Sequence, residues 1–157
     1  MRRVPTVSGS VRAVTPAGWF VAAIALMIVL DAVTPGARWL RAPWRLVGLV
    51  VAAAGVALHV AATRHFRHHH TTHAPLARPA ALVTDGPYHH TRNPMYLAGV
   101  LMLLGLDALL GSATPLLVLP LWMVLMRARF IRPEEALLAR TFGQAYAAYR
   151  TRVRRWI

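Results

Sequence analysis

The sequence predicts an all-α integral membrane protein with about four transmembrane helices, a tight helical hairpin and a C-terminal amphipathic interfacial helix. Three observations carry this. Of 157 residues, 57% are apolar and only 15% charged, too greasy a balance for a soluble domain of this size. The apolar residues gather into four stretches, at 17–33, 46–62, 95–110 and 113–126. The eighteen basic residues, all arginine, lie between and after those stretches. The length allows one domain, 1–157, divided into an N-terminal helical pair (1–63) and a loop, hairpin and C-terminal helix (64–157).

The first stretch follows Met1-Arg2-Arg3 in the manner of a secretory signal, but no small-x-small cleavage site follows Val33. Further apolar stretches come after it, so a retained signal-anchor is expected. Each stretch falls short of the ~20 residues a spanning helix prefers. Flanking residues must extend them, and Trp19, Trp39, Trp44, Trp122 and Tyr96 suit the interfaces. Only Gly111-Ser112 separates the last two stretches, which marks a tight turn. With four spans, the N-terminus, the 64–96 loop and the C-terminus share a side carrying fifteen arginines, against Arg38, Arg41 and Arg45 opposite. The fifteen belong in the cytoplasm.

From Glu134 onward, Leu138, Phe142, Tyr146, Tyr149, Val153 and Trp156 recur at spacings of three and four, one apolar stripe. Arg140, Arg150, Arg152, Arg154 and Arg155 lie mostly off it, as in a basic helix resting in the cytoplasmic interface. The net charge of +13 could indicate nucleic acid. Arginines interleaved with long apolar runs fit anionic lipid headgroups better, so the bilayer and no nucleic acid is expected. The absence of cysteine excludes disulfides, thiolate catalysis and thiolate metal sites.

Two segments could carry chemistry. In Gly86-Pro87-Tyr88-His89-His90-Thr91-Arg92-Asn93-Pro94-Met95-Tyr96, Asn93 is a good N-cap and Pro94 suits the first helical position. A capped membrane helix accounts for those two residues, though not for Tyr88, Arg92 and Tyr96 crowding one helix entrance. Glu134 and Glu135 follow Pro133 at the far end of the hairpin. The two arms are of matching length, each roughly 30 Å at ~1.5 Å per residue, which brings the glutamates level with Asn93. Two glutamates beginning a helix also suit its positive dipole end, and on composition alone that reading stays open.

The stretch Leu82-Val83-Thr84-Asp85-Gly86-Pro87-Tyr88, running into Arg92-Asn93-Pro94-Met95-Tyr96-Leu97-Ala98-Gly99, resembles the signature of the isoprenylcysteine carboxyl methyltransferase and phospholipid methyltransferase family. Glu134-Glu135, Leu138, Phe142-Gly143, Tyr146, Tyr149, Val153 and Arg155-Trp156 are similar to its tail. Thr71, Thr72, Pro75 and Pro79 also stand where related sequences have similar residues. The resemblance runs from about Phe66 to Ile157. It implies a compact helical membrane bundle, with S-adenosylmethionine held in a cytoplasmic pocket between the two motifs and closed by the C-terminal segment. Tyr88, Asn93, Pro94, Tyr96 and Gly99 would line one side of the cofactor, and Glu134 and Glu135 would hold it from the other. Arg92 and Glu135 are the expected catalytic pair, Arg92 steering an anionic carboxylate or lipid phosphate. Many members have Arg-His-Pro where this chain has Arg92-Asn93-Pro94. Asparagine does not titrate near neutrality, so a binding role is expected at 93 and an acid–base role is not.

The resemblance implies methyl transfer to a lipophilic small molecule or lipid at the cytoplasmic face. Carboxyl O-methylation of an isoprenylcysteine-like or other lipidic acid leads, with N-methylation of a phospholipid amine as the alternative. The arginine-rich, lysine-free composition points to a bacterial inner (cell) membrane. A sterol-reductase-like enzyme using NADPH has a similar Arg-x-Pro-x-Tyr segment but usually continues with Gly-Glu, whereas Val100 follows Gly99 here. A third class is a non-catalytic membrane protein binding metal through His65, His68, His69, His70 and His73. His69 and His73 have the spacing of ligands on one helical face. No acid or cysteine joins them, so no metal site is expected and a basic membrane-facing loop is the reading adopted. His59, inside the second stretch, is read as a local hydrogen-bonding or snorkelling group rather than a functional one.

Overall fold

The computed structural model describes residues 15–68 and 81–157. Among these the structure is helical, with a single isolated bridge between Arg38 and Ser112. Helix α1, Pro16–Val33, starts on Thr15, whose hydroxyl accepts from the Gly18 amide, with proline in the first turn. Both features favour initiation there. A short 3₁₀ turn, Trp44–Leu46, leads into α2, Val47–His68, and α3 spans Pro94–Leu110. The segments Pro16–Val33 and Trp44–Phe66 are long and apolar enough to cross a membrane, while Pro94–Leu110 is apolar but shorter.

The fourth expected span does not stand alone. A 3₁₀ turn, Pro115–Leu117, opens α4, Val118–Met126, which runs through a π-helical segment, Arg127–Ile131, into α5, Arg132–Arg152. The turn between α3 and α4 lies where Gly111-Ser112 predicted it, with Gly111 in the left-handed conformation at the end of α3. The C-terminal helix, expected to be continuous, is broken. Gly143 sits at φ 49°, ψ −119° and breaks α5 into two arms. Tyr146, Tyr149 and Val153 turn inward and pack with Leu82, Leu138 and Phe142, while Trp156 packs against the main core. The stripe therefore packs on the loop before α3.

The tightest packing is between α2 and α3. A side chain on Gly48 would overlap the Gly105 carbonyl, and one on Gly105 would overlap the Ala52 amide. Small residues at this spacing let two apolar helices approach backbone to backbone. Helix α1 packs on α3 and α4 around Met27, Leu103, Trp122 and Met126. The outward faces are apolar, including Val21, Ile28 and Val29 on α1, Leu49, Val50 and Val56 on α2, and Leu121 and Val124 on α4.

The end of the bundle away from the glutamates is tied by the α1–α2 connection. Arg45 donates from Nε to the Leu109 carbonyl and from Nη2 to the Leu110 carbonyl, both at 2.6 Å. Arg38 Nη1 reaches the Leu110 carbonyl at 2.9 Å and Asp31 at 3.5 Å, and Ser112 Oγ donates to Asp31. These arginines satisfy carbonyls that the end of α3 would otherwise leave bare.

Candidate active site

The loop 81–93, the first turns of α3, the α4–α5 junction and the second arm of α5 enclose a cavity of about 570 Å³. Tyr88, Arg92, Asn93, Pro94, Tyr96, Gly99, Glu134 and Glu135 all line it. The two motifs, some forty residues apart in sequence, thus meet on one space. Tyr96 donates from its hydroxyl to Glu134 Oε1 at 2.9 Å, and Arg92 Nη1 stands 3.2 Å from Glu135 Oε1.

The π-helical segment helps to place the glutamates. Its wider turn carries one more residue than an α-turn. Phe130 and Ile131 are both buried there, and the next cavity residues are Glu134, Glu135, Leu137 and Leu138. On the other side, the 3₁₀ turn Gly86–His89 presents Tyr88, whose ring packs edge-on against Phe66 at 5.1 Å.

The two glutamates differ in their partners. Glu135 receives a forked pair of hydrogen bonds from Arg155, at 3.0 Å from Nε and 2.7 Å from Nη2, in addition to Arg92. Burial alone would raise its carboxyl, but the Arg155 bonds and the charges of Arg92 and Arg155 outweigh it and hold the group below the usual range. Glu134 has Tyr96 and no cationic partner among the described residues. Burial pushes its carboxyl up to about 7, with the Tyr96 bond opposing.

The expected N-cap role of Asn93 is not the one it plays. Its side chain makes no capping bond, and its amide donates to the Arg155 carbonyl at 3.1 Å. Thr91 Oγ1 donates to the same carbonyl at 3.1 Å, and the Arg92 amide to the Arg154 carbonyl at 3.0 Å. Asn93 thus clasps the C-terminal segment and leaves the start of α3 without a side-chain cap. Arg92 Nη1 likewise faces Glu135 and lies 3.5 Å from the Tyr146 hydroxyl, while Arg92 Nε is buried without a partner.

Tyr146, Tyr149 and Arg155 belong to this network although sequence reasoning did not place them in the site. Tyr149 donates to the Tyr88 carbonyl at 2.6 Å, and burial pushes its hydroxyl up to about 12, so it is a neutral donor at neutral pH. Their spacing of three on the apolar stripe, and an arginine twenty residues beyond Glu135, were the available signals. Phe20 and Met102 also line the cavity and carried no comparable signal. His59, read as a local polar group, lines it too, and Trp122, expected at an interface, is instead buried in the core beside it. The side chains of His68, His69, His70 and His73 lie outside the described residues, as do Thr71, Thr72, Pro75 and Pro79. Among the described residues no cluster of three metal-ligating side chains occurs. His65 Nδ1 lies 3.2 Å from the Ala61 carbonyl.

A family model for phospholipid methyltransferase matches residues 44–145, more than half of the chain. The chain belongs to the phospholipid methyltransferase family. Both motifs that line the cavity lie largely within the matched region. Among its relatives is a protein-S-isoprenylcysteine O-methyltransferase of Schizosaccharomyces pombe, 38% identical over 72 residues, or 46% of this chain and 30% of the relative. The cobalt-zinc-cadmium resistance protein CzcN of Cupriavidus metallidurans is 41% identical over 71 residues, or 45% of this chain and 32% of that protein. The nickel-cobalt-cadmium resistance protein NccN of Alcaligenes xylosoxydans xylosoxydans is 41% identical over 63 residues, covering 40% of this chain and 30% of that protein. The matched stretches span about 30% of the length of these curated relatives. No solved structure matches the chain.

Proposed function

We propose that this protein is an integral membrane methyltransferase that uses S-adenosylmethionine at the cytoplasmic face and acts on a lipophilic acceptor. The observation that carries the reading is the convergence of both motifs on one cavity holding a carboxylate, Glu134, with no cationic partner among the described residues. The cavity's chemistry fits the cofactor. Its volume lies within the range of small-molecule sites. Glu134 suits the cofactor's ammonium group, and the faces of Tyr88, Tyr96 and Phe66 suit a sulfonium cation. The start of α3, free of a side-chain cap, offers backbone N–H groups to a carboxylate.

When bound, S-adenosylmethionine supplies a methyl group activated by its positive sulfur. The chain's own residues bind and align. Glu134, positioned by Tyr96, would hold the cofactor's ammonium group, and the first turn of α3, from Pro94, would hold the carboxylate on the same carbon. Glu135 locks Arg92 and Arg155, so that the C-terminal segment closes the cavity and excludes water. This alignment is the main contribution asked of the protein, because displacement at a methyl group requires nucleophile and leaving group in line. A carboxylate acceptor is already ionised and needs no base, and carboxyl O-methylation of an isoprenylcysteine-like or other lipidic acid is the leading reaction. One observation favours N-methylation of a phospholipid amine as a second reading: a carboxyl brought to about 7 can take the proton an ammonium must lose.

Calorimetry of the purified protein tests the reading. S-adenosylmethionine should bind one to one, and NADPH should give no heat. Glu134→Gln should weaken binding by about tenfold or more, since a hydrogen bond to a charged group contributes ~1.5–3 kcal/mol. Binding of NADPH in preference to S-adenosylmethionine would overturn it.

A further inference from the structure

We propose that His59 recognises an anionic oxygen of the methyl acceptor, a carboxylate or phosphate on an apolar chain, at a mouth of the cavity between α1 and α2. The inference rests on the reading of the cavity as a methyl-transfer site and adds to it a determinant of acceptor class.

The gap follows from the packing. Helix α1 packs on α3 and α4, and α2 packs on α3, but α1 and α2 do not form a packed pair among the described residues. The cavity is walled by Ala17 and Phe20 from α1 and by His59 and Phe66 from α2, with Met95 and Met102 of α3 between them. His59 lines the cavity and is exposed. It therefore stands at the mouth. The remaining five side chains are apolar, which suits a hydrocarbon chain.

The helix register sets the height of His59. Gly48 faces Gly105, and Gly55 faces Ala98 and Met102, so antiparallel α2 brings His59 level with the first turns of α3, where Tyr96 holds Glu134. The imidazole is thus at the depth of the polar end of the cavity. Among the described residues its ring has no hydrogen-bond or ionic partner, and Thr63 Oγ1 donates to its backbone carbonyl at 2.8 Å. A polar ring in an apolar wall without a protein partner is costly, and such groups mark ligand paths in membrane proteins.

Other N–H donors on the wall are engaged or sealed. Arg92 Nη1 faces Glu135 and Tyr146 while its Nε is buried without a partner, and the Asn93 amide is bound to the Arg155 carbonyl. Trp122 Nε1 has no partner but is fully buried. An anionic headgroup arriving from the α1–α2 gap meets His59 first. The steering role that the sequence suggested for Arg92 falls to His59, and Arg92 keeps the C-terminal clasp in place.

The test uses the full chain in neutral phosphatidylcholine nanodiscs, with binding rather than turnover as the readout. A fluorescent twelve-carbon carboxylate is bound, then displaced by dodecyl phosphate, dodecanoate or dodecanol. The wild type should prefer both anions to the alcohol by about tenfold or more. His59→Leu should erase that preference while alcohol binding and S-adenosylmethionine affinity stay within about twofold, and His59→Gln, which keeps an N–H donor, should restore most of it. A preference for dodecanoate alone would assign the site to acids, and equal preference for dodecyl phosphate would admit phospholipids. No anion preference in the wild type, or an undiminished one in His59→Leu, would overturn the proposal. Failure of the wild type to bind S-adenosylmethionine would overturn the methyltransferase reading instead, and the two results are read separately.

Discussion

Glu134 lies one position from Glu135, yet burial beside Tyr96 pushes its carboxyl up to about 7, while Arg155 and Arg92 hold its neighbour below the usual range. Adjacent residues on a helix point about 100° apart, so one carboxylate reaches the arginines of the clasp and the other the Tyr96 hydroxyl. A raised folded-state value means that the folded protein favours protonated Glu134. Its ionisation therefore works against stability as pH rises from the ordinary carboxylate range through about 7. Binding of a cation works the other way, because it favours the ionised form. Affinity for S-adenosylmethionine should rise with pH below about 7, by at most about tenfold per unit, and level off above it. Proton release on binding, measured by calorimetry in buffers of different ionisation heat, should disappear in Glu134→Gln. A pH-independent wild type would remove Glu134 from the cation's contacts. The pair was visible in the sequence as two glutamates level with Asn93. Their division of labour was not, because it depends on Arg155, which reaches Glu135 only after the chain folds back beyond α5.

At the scale of elements, hydropathy located α1, α2, α3 and the Gly111 turn, since a run of apolar residues ended by glycine reads the same way in sequence and in space. It could not see that α4 continues into α5, because a π-helical segment leaves no composition signal. Nor could the three-and-four spacing of the apolar stripe reveal the break at Gly143, where φ is 49° and ψ −119°. A Cβ there would meet nothing within 4 Å, so glycine is required by backbone conformation and not by crowding. Gly143→Ala should accordingly destabilise the protein by about 1–3 kcal/mol. The damage should be local first. The second arm carries Tyr146, Tyr149 and the segment that brings Arg155 to Glu135, so hydrogen exchange after residue 143 should quicken before exchange in α2 or α3 does. Unchanged thermal stability together with unchanged exchange would show that the arm straightens at no cost.

For the whole molecule, the two ends of the bundle have different chemistry. One end carries the cavity, the clasp and the exposed Arg127, Arg129, Arg132, Arg140, Arg150, Arg152 and Arg154. The other carries the 34–46 connection and the α3–α4 turn, which hold each other through Arg38, Arg45, Asp31 and Ser112. That end holds three arginines, Arg38, Arg41 and Arg45. Two of them, Arg38 and Arg45, donate to the last carbonyls of α3, and Arg45 is half-buried there. Long apolar helices for which the sequence predicts fifteen arginines on one side and three on the other should insert with the fifteen in the cytoplasm. The absence of native cysteine makes single-cysteine labelling clean. Ala148 and Ala37 are both exposed, one near each end. In intact cells a membrane-impermeant maleimide should label Ala37→Cys, and should label Ala148→Cys only after permeabilisation. The reverse pattern would place Glu134 on the outer side, out of reach of a cytosolic cofactor, and would overturn the cytoplasmic site together with the topology. Labelling of both positions in intact cells would show that the 34–46 connection and α5 share a side, which a bundle spanned an odd number of times between them cannot allow.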